Sequence, residues 1–318
     1  MIGSKRIYQI TYFFLILFLL ANGAAAQKRA GSGGRAGKAV MWEPVDVKKQ
    51  DLFLGPGGAR MQPDLSRITF ISEQKGGYSK KYKIKDGRGM TWVAKIGLEA
   101  QSETAAVRLL SALGYKTEIN YLVPRLMIPG KGTFFNVRLE ARPDNVERGK
   151  NWKWGDNPFD ETVEYQGLKI MMAFLNNWDM KEANNVILKK GNEQEYVISD
   201  LGVAFGKTGS NSLPLFWRIG RSRNNPEDYS HARFVKGTSN DKVKLVYNGK
   251  NRSQMSNITV SDVRWLADLL IELSEAQIRD AFRAANYSQH DTDLLTRTVQ
   301  YRINELDRVA LGRPIAGK

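Results

Sequence analysis

The chain of 318 residues has no cysteine and two histidines, His231 and His290. The first absence excludes a disulfide framework, a thiolate zinc site, an iron–sulfur cluster and a cysteine nucleophile. The second leaves too few ligands for a histidine-rich metal centre, and obliges any Ser-His-Asp hydrolase to use one of these two. Negative charge is also scarce: 33 Asp and Glu stand against 48 Lys and Arg, a formal charge of +15. That excess admits anionic partners without choosing among nucleic acid, membrane and phosphorylated ligands. No apolar run reaches the ~20 residues of a comfortable transmembrane helix, and there is no internal repeat. The 42% hydrophobic and 25% charged content is that of a globular protein. The length fits two domains or one large two-lobed domain.

What is present begins with an address. Lys5 and Arg6 precede an apolar run over 12–20, and Ala24-Ala25-Ala26 stands before Gln27. A charged start, a short apolar core and an Ala-x-Ala site predict a cleavable signal peptide over 1–26, hence a secreted or periplasmic protein. The alternative, an N-terminal membrane anchor, also leaves the domain outside, because Lys5 and Arg6 hold the N-terminus inside. Residues 27–40 are basic and rich in Gly and Ala. They predict a flexible linker, either simply solvated or suited to an anionic envelope surface. Order is expected from Met41-Trp42-Glu43-Pro44.

The body of the chain changes period near its middle. Residues 66–72, 78–85 and 90–96 read as strands, with Gly76-Gly77 and Asp86-Gly87-Arg88-Gly89 as turns. Ala105, Ala106, Leu109, Leu110 and Leu113 then share a helix face closed by Gly114. Strand character returns over 121–128 and 133–139. Beyond Ala141-Arg142-Pro143 a helix is expected over 165–178. Short strands follow over 186–188 and 196–198, then three helices starting near Ser261, Ser274 and Thr292. The fold class is α+β, with a β-rich half over 41–141 and a helical half over 142–318. Trp152-Lys153-Trp154 reads as a loop anchor and His231 as a loop histidine.

Four features occur in a fixed order. A strand ends in Val93-Ala94-Lys95. The helix after it carries Glu103, with Glu99 competing for the same role. Asp179-Met180-Lys181-Glu182-Ala183-Asn184 follows an apolar helix, and a later apolar strand ends in Asp200-Leu201-Gly202. Each piece alone is ordinary: a strand-end lysine is usually solvated, and Asp-Leu-Gly is usually a turn. Together they supply what phosphoryl transfer needs. Lys95 and Lys181 are cations, Asn184 and Asp200 are hard oxygen donors suited to Mg²⁺, and Asp179 can orient or deprotonate an acceptor hydroxyl. Gly76 and Gly77 would let backbone N–H groups approach phosphate, although an ordinary hairpin turn explains them equally.

On these residues the chain resembles the protein-kinase-like superfamily. The resemblance implies a two-lobed fold, with the hinge near 139–143. It also implies that Lys95 grips the phosphates of ATP, Glu103 orients Lys95, Gly76 and Gly77 cover the nucleotide, Asp179 handles the substrate hydroxyl, and Asn184 and Asp200 hold Mg²⁺. The sequence departs from the usual pattern in several places. The glycine loop reads Gln74-Lys75-Gly76-Gly77-Tyr78-Ser79, Asn177-Trp178 replaces His-Arg before Asp179, and no Ala-Pro-Glu follows Asp-Leu-Gly. These mark an atypical branch, and the missing arginine before Asp179 argues against a switch operated by loop phosphorylation. Through Leu54-Gly55-Pro56-Gly57-Gly58, the stretch from Lys75 to Tyr82, Asn176-Asn177-Trp178-Asp179 and Ser199-Asp200-Leu201-Gly202, the chain also resembles a family of secreted bacterial proteins. That resemblance names no substrate.

Three functions compete. The first is a monomeric Mg·ATP-dependent phosphotransferase acting on an unknown hydroxyl-bearing substrate. The second is a kinase-like module that binds nucleotide or another anion without transfer. The third is a basic polyanion-binding protein; with no nucleic-acid module in the chain it ranks last. Charge location favours a cleft ligand over general stickiness. Four basic and no acidic residues lie in 27–40, six against one in 75–88, and ten against three in 207–252.

Overall fold

The computed structural model describes residues 37–76, 79–209 and 220–314. The expected signal peptide over 1–26, most of the linker, Gly77 and the segment containing Trp217 and Arg218 lie outside these residues. Residues 38–40 of the expected linker are not loop. They form strand β1 (Lys38–Val40), which pairs in parallel with Glu193, Gln194 and Glu195.

The first half builds β2 (Thr69–Gln74), β3 (Lys80–Lys85), β4 (Thr91–Ile96), β5 (Asn120–Ile128) and β6 (Gly132–Ala141). They form one antiparallel sheet in the order β2-β3-β4-β6-β5. The β3–β4 turn is held by one carboxylate. Asp86 Oδ1 accepts from the Arg88 and Met90 N–H groups at 3.0 and 2.9 Å, and Oδ2 from Trp92 Nε1 at 3.0 Å. This fixes the register Ile84↔Trp92, Tyr82↔Ala94 and Lys81↔Lys95. Because strand side chains alternate, Tyr82, Ile84, Trp92, Ala94 and Leu139 pack into one core face. Lys81, Lys95 and Arg138 fall on the other.

Helix α1 (Glu99–Ala112) follows β4 and buries Ala105, Ala106, Leu109 and Leu110. It stops at Gly114, whose φ is +93° and where a Cβ would lie 2.1 Å from the Glu43 carbonyl oxygen. After a two-residue strand β7 (Glu147–Arg148) come α2 (Val163–Phe174), β8 (Asn185–Lys190) and β9 (Glu193–Ile198). Then come α3 (Pro226–His231), the hairpin β10 (Val235–Ser239)–β11 (Lys242–Leu245), α4 (Val260–Leu270), α5 (Glu275–Ala284) and α6 (Gln289–Ala310). Trp152 and Trp154 are buried, and Trp152 Nε1 donates to Val197 O at 2.8 Å, so the pair does anchor its loop. Among the described residues no helix is long and apolar enough to cross a membrane.

Several boundaries differ from expectation. Helix α2 ends at Phe174 rather than 178, because Asn176 adopts a left-handed backbone at φ +53°. The N-cap of α4 is Thr259, in a capping box with Asp262, and that of α6 is Ser288. Ser261 and Thr292 therefore sit inside their helices; the cap is decided by which side chain reaches the free N–H groups. Ser274 caps α5 as read. The expected β2 starts at Thr69, and neither α3 nor the β10–β11 hairpin was anticipated.

One buried cation secures the segment leading to the site. Arg302 of α6 donates to Phe174 O at 2.6 Å, Asn176 Oδ1 at 3.1 Å and Ala232 O at 3.1 Å. Its guanidinium also stacks on the Tyr229 ring at 4.0 Å. An Arg302→Leu variant removes this donor from Asn176 Oδ1 and Ala232 O and leaves Phe174 O with the Tyr229 hydroxyl alone. It is expected to lose about 3 kcal/mol of unfolding free energy, measured by urea titration. An unchanged midpoint would show that Arg302 does not anchor this junction.

Candidate functional site

The sheet sets three cations side by side. Lys81, Lys95 and Arg138 are register partners on β3, β4 and β6. Neighbouring like charges on a sheet repel, so carboxylates must sit over the row. Helix α1 brings two, Glu99 and Glu103, four residues apart and so on one face. Lys95 Nζ lies 2.8 Å from Glu103 Oε2, 3.1 Å from Glu99 Oε2 and 3.1 Å from Asp200 Oδ1. The competition between Glu99 and Glu103 is thus resolved by both pairing with Lys95. Arg138 bridges Glu103 at 3.1 Å and Glu140 at 2.6 Å. Arg142, Glu118 and Arg148 extend the alternation of charge toward β7.

Burial makes this cage strict. The Lys95 side chain is 2% exposed and that of Glu103 1%, whereas Asp200 keeps 35% at the cleft surface. Burial opposes the Lys95 ammonium, but Glu103, Asp200 and Glu99 outweigh it and hold the group above the ordinary lysine range. For Asp200, burial raises the carboxyl, but Lys95 and the Gly202 N–H outweigh that and hold it below the usual value. Glu99 is lowered in the same way, burial being outweighed chiefly by Lys95. Burial pushes Glu103 up, against Arg138 and Lys95.

The opposite wall comes from the turn after α2. Asn184 Nδ2 donates to Asp179 O at 2.7 Å and to Asp179 Oδ2 at 3.3 Å, and Lys181 Nζ lies 2.7 Å from Asp179 Oδ2. The Asn184 carbonyl accepts from Ser199 N at 2.7 Å and Asp200 N at 3.3 Å, which ties this turn to the end of β9. Gly202 is a glycine for a packing reason: a Cβ there would lie 2.6 Å from Glu99 Cβ and 3.1 Å from Lys95 Nζ. Between the walls is a cleft of ≈ 640 Å³, inside the range of about 300–1,000 Å³ common for small-molecule sites.

Lys95, Asp179, Lys181, Asn184 and Asp200 all line this cleft, and Glu103 reaches Lys95 from behind. Gly76, at φ +108°, lies in the β2–β3 loop and is not among the described cleft-lining residues; Gly77 is outside the description. Charge location set the segments 75–88 and 207–252 at the cleft, and Ser79 and Lys81 from the first and Arg221, Arg223 and Lys250 from the second do line it, although sequence reasoning named none of them singly and gave Trp178 no place there. Lys81 had a usable signal, since counting back through the Asp86–Gly89 turn sets it opposite Lys95. The others are brought in by tertiary folding. Among the described residues no cluster of three or more His, Asp or Glu side chains is placed to hold a metal. Asn184 and Asp200 offer two oxygen donors.

Two outcomes follow from this geometry. Gly202→Ala must displace α1 or Lys95, and is expected to cost about 1–3 kcal/mol, as overpacking does, seen as a lower Tm. The contribution of Asp200 to stability is present above the ordinary carboxylate value of 3.8 and lost as pH falls through its lowered folded value. That of Lys95 is present below the ordinary 10.5 and lost as pH rises through its raised folded value. The Tm gap between wild type and Asp200→Asn should therefore be flat near neutrality and close only below about pH 4. A gap that closes between pH 5 and 7 would contradict the assignment.

No family model matches the chain, and no curated protein matches it. Among solved structures, the crystal structure of a Helicobacter pylori proinflammatory kinase, CtkA, is similar, with a TM-score of 0.51 and 11% sequence identity. The match covers 79% of this chain and 97% of that one. At such identity the likeness concerns the fold, and the chain has a mixed α+β, kinase-like fold.

Proposed function

We propose that the chain is a Mg·ATP-dependent phosphotransferase that acts on a hydroxyl group. One observation carries the reading. Lys95 reaches both a helix carboxylate, Glu103, and Asp200, in a cleft that also holds Asp179 and Asn184. In this reading the Lys95 ammonium meets phosphate oxygens and Glu103 holds it in place. Asp179 accepts a hydrogen bond from the acceptor hydroxyl and takes its proton. Lys181, 2.7 Å from Asp179, offsets negative charge there. Gly76, in the β2–β3 loop outside the described cleft lining, keeps a role at the nucleotide only if that loop moves over the bound phosphates.

The donor set fits Mg²⁺. Asn184 turns its amide nitrogen to Asp179, so its side-chain oxygen is the end available to a cation. Asp200 Oδ1 is engaged by Lys95 and the Gly202 N–H, which leaves Oδ2 for coordination. Two protein oxygens completed by phosphate and water suit this ion, and bound Mg²⁺ would neutralise charge on the phosphates. Export to the periplasm or medium is part of the proposal, supported by the N-terminal pattern.

A second reading, nucleotide or anion binding without transfer, is favoured by the closed cage. Lys95 is 2% exposed and faces three carboxylates, so a phosphate must displace one of them. Glu99 and Asp200, at the cleft rim, are the candidates.

Mg·ATP should raise the Tm of wild type, and Asp200→Ala should remove the dependence on Mg²⁺. Asp179→Asn should bind nucleotide normally while transfer falls by about 10²–10⁴. Retained binding with no transfer in wild type selects the second reading. No Mg·ATP-dependent shift in wild type contradicts the first reading and restricts the second to an anion other than nucleotide.

A further inference from the structure

Position 178, directly before Asp179, is tryptophan rather than arginine. Two cations of the segment that follows Asp-Leu-Gly lie near the indole. The Arg221 guanidinium is 4.7 Å from the ring centre and that of Arg223 5.5 Å. Trp178 Nε1 also donates to Ser222 O at 3.0 Å. The same segment is pinned from the other side. Ser222 N donates to Lys207 O at 3.2 Å, Asn224 N to Ala204 O at 3.0 Å and Asn225 N to Phe205 O at 2.7 Å. Arg221 donates to Thr208 O and Asn248 O at 3.1 and 2.6 Å.

Arg223 reaches further. Its Nη1 lies 2.6 Å from Glu99 Oε1 on α1, while Glu99 Oε2 takes Lys95 at 3.1 Å and the Ser79 hydroxyl at 2.9 Å. One guanidinium therefore touches the aromatic ring next to Asp179 and the carboxylate next to Lys95. Arg138 already fixes Glu103 from within the sheet. Glu99 is the carboxylate of the pair that answers to the segment after Asp-Leu-Gly.

We infer that Arg223, seated on Trp178, is a latch that holds α1 and the catalytic turn in register without any phosphate. In a kinase ordered by loop phosphorylation, the loop carries an anion and an arginine receives it. Here the polarity is reversed: the segment supplies the cations, and the catalytic turn and α1 supply the π face and the carboxylate. Arg223, Trp178 and Glu99 are positioning residues. They set the geometry of Lys95 and Asp179, and this role in catalysis rests on the phosphotransferase reading above.

The test uses the full chain, with amide hydrogen exchange of residues 99–112 and Mg·ATP affinity measured in parallel. Arg223→Gln should speed exchange of α1 and weaken Mg·ATP binding, each by about tenfold, the effect of a ~1.4 kcal/mol contact. Arg223→Lys, which keeps the charge, should recover most of both, and Trp178→Phe should be milder than Trp178→Leu. In transfer assays Arg223→Gln should raise KM for ATP more than it lowers kcat. Unchanged α1 exchange in Arg223→Gln overturns the latch. So does a phosphorylated residue between 201 and 225 on which nucleotide binding depends. If wild type binds no nucleotide, the functional reading fails while α1 exchange still decides whether the latch exists.

Discussion

A lysine ammonium that is 2% exposed has to be neutralised where it sits. An uncompensated buried charge costs several kcal/mol, so the position of Lys95 dictates what surrounds it. Its partners come from places far apart in sequence: two from α1 and one from the loop after β9. The sheet therefore cannot be completed without the helix, nor the helix seated without Asp200. Gly202 shows how tight this junction is, since even a methyl group there would enter the space of Glu99 and Lys95. The cleft, with Asp179 and Asn184 across from Lys95, follows from satisfying one charge.

The three carboxylates are not equivalent. Glu103 is enclosed, held by Lys95 and Arg138 together, and linked through Arg138 to Glu140 and Arg142 at the end of β6. It is part of the architecture. Asp200 and Glu99 border the cleft, and each has a second engagement that positions it: the Gly202 N–H for Asp200, and Arg223 with Ser79 for Glu99. A ligand that competes for Lys95 meets these two first. The site thus combines an enclosed anchor with two contacts at the cleft, and under the proposed function these two are the ones a phosphate would displace.

Much of this was legible in sequence because it rests on short-range rules. The period-two run over 78–85, the Asp86 turn and the Val93-Ala94-Lys95 strand define the sheet around Lys95. The order of Lys95, Glu103, Asp179, Asn184 and Asp200 then marks the cleft. What escaped depends on register and tertiary approach. Arg138 and Glu140 alternate with Val137 and Leu139, so β6 reads as half solvated; only α1 and Glu118 make that face interior. No local pattern marks Arg302, which is buried on the carbonyls that end α2. Lys38–Val40 lie in a Gly-rich basic stretch, and their strand exists because β9 offers an edge. Trp178 was recognised as a departure, but its partners Arg221 and Arg223 lie more than forty residues downstream and no local rule links them.

The most direct test is a crystal structure of the protein with Mg²⁺ and a non-hydrolysable ATP analogue. The account predicts one metal shared by the Asn184 side-chain oxygen and Asp200, with a phosphate oxygen on Lys95 and Asp179 facing the terminal phosphate. A nucleotide bound elsewhere, or one in the cleft with Lys95 still closed on all three carboxylates and no metal between Asn184 and Asp200, would contradict it.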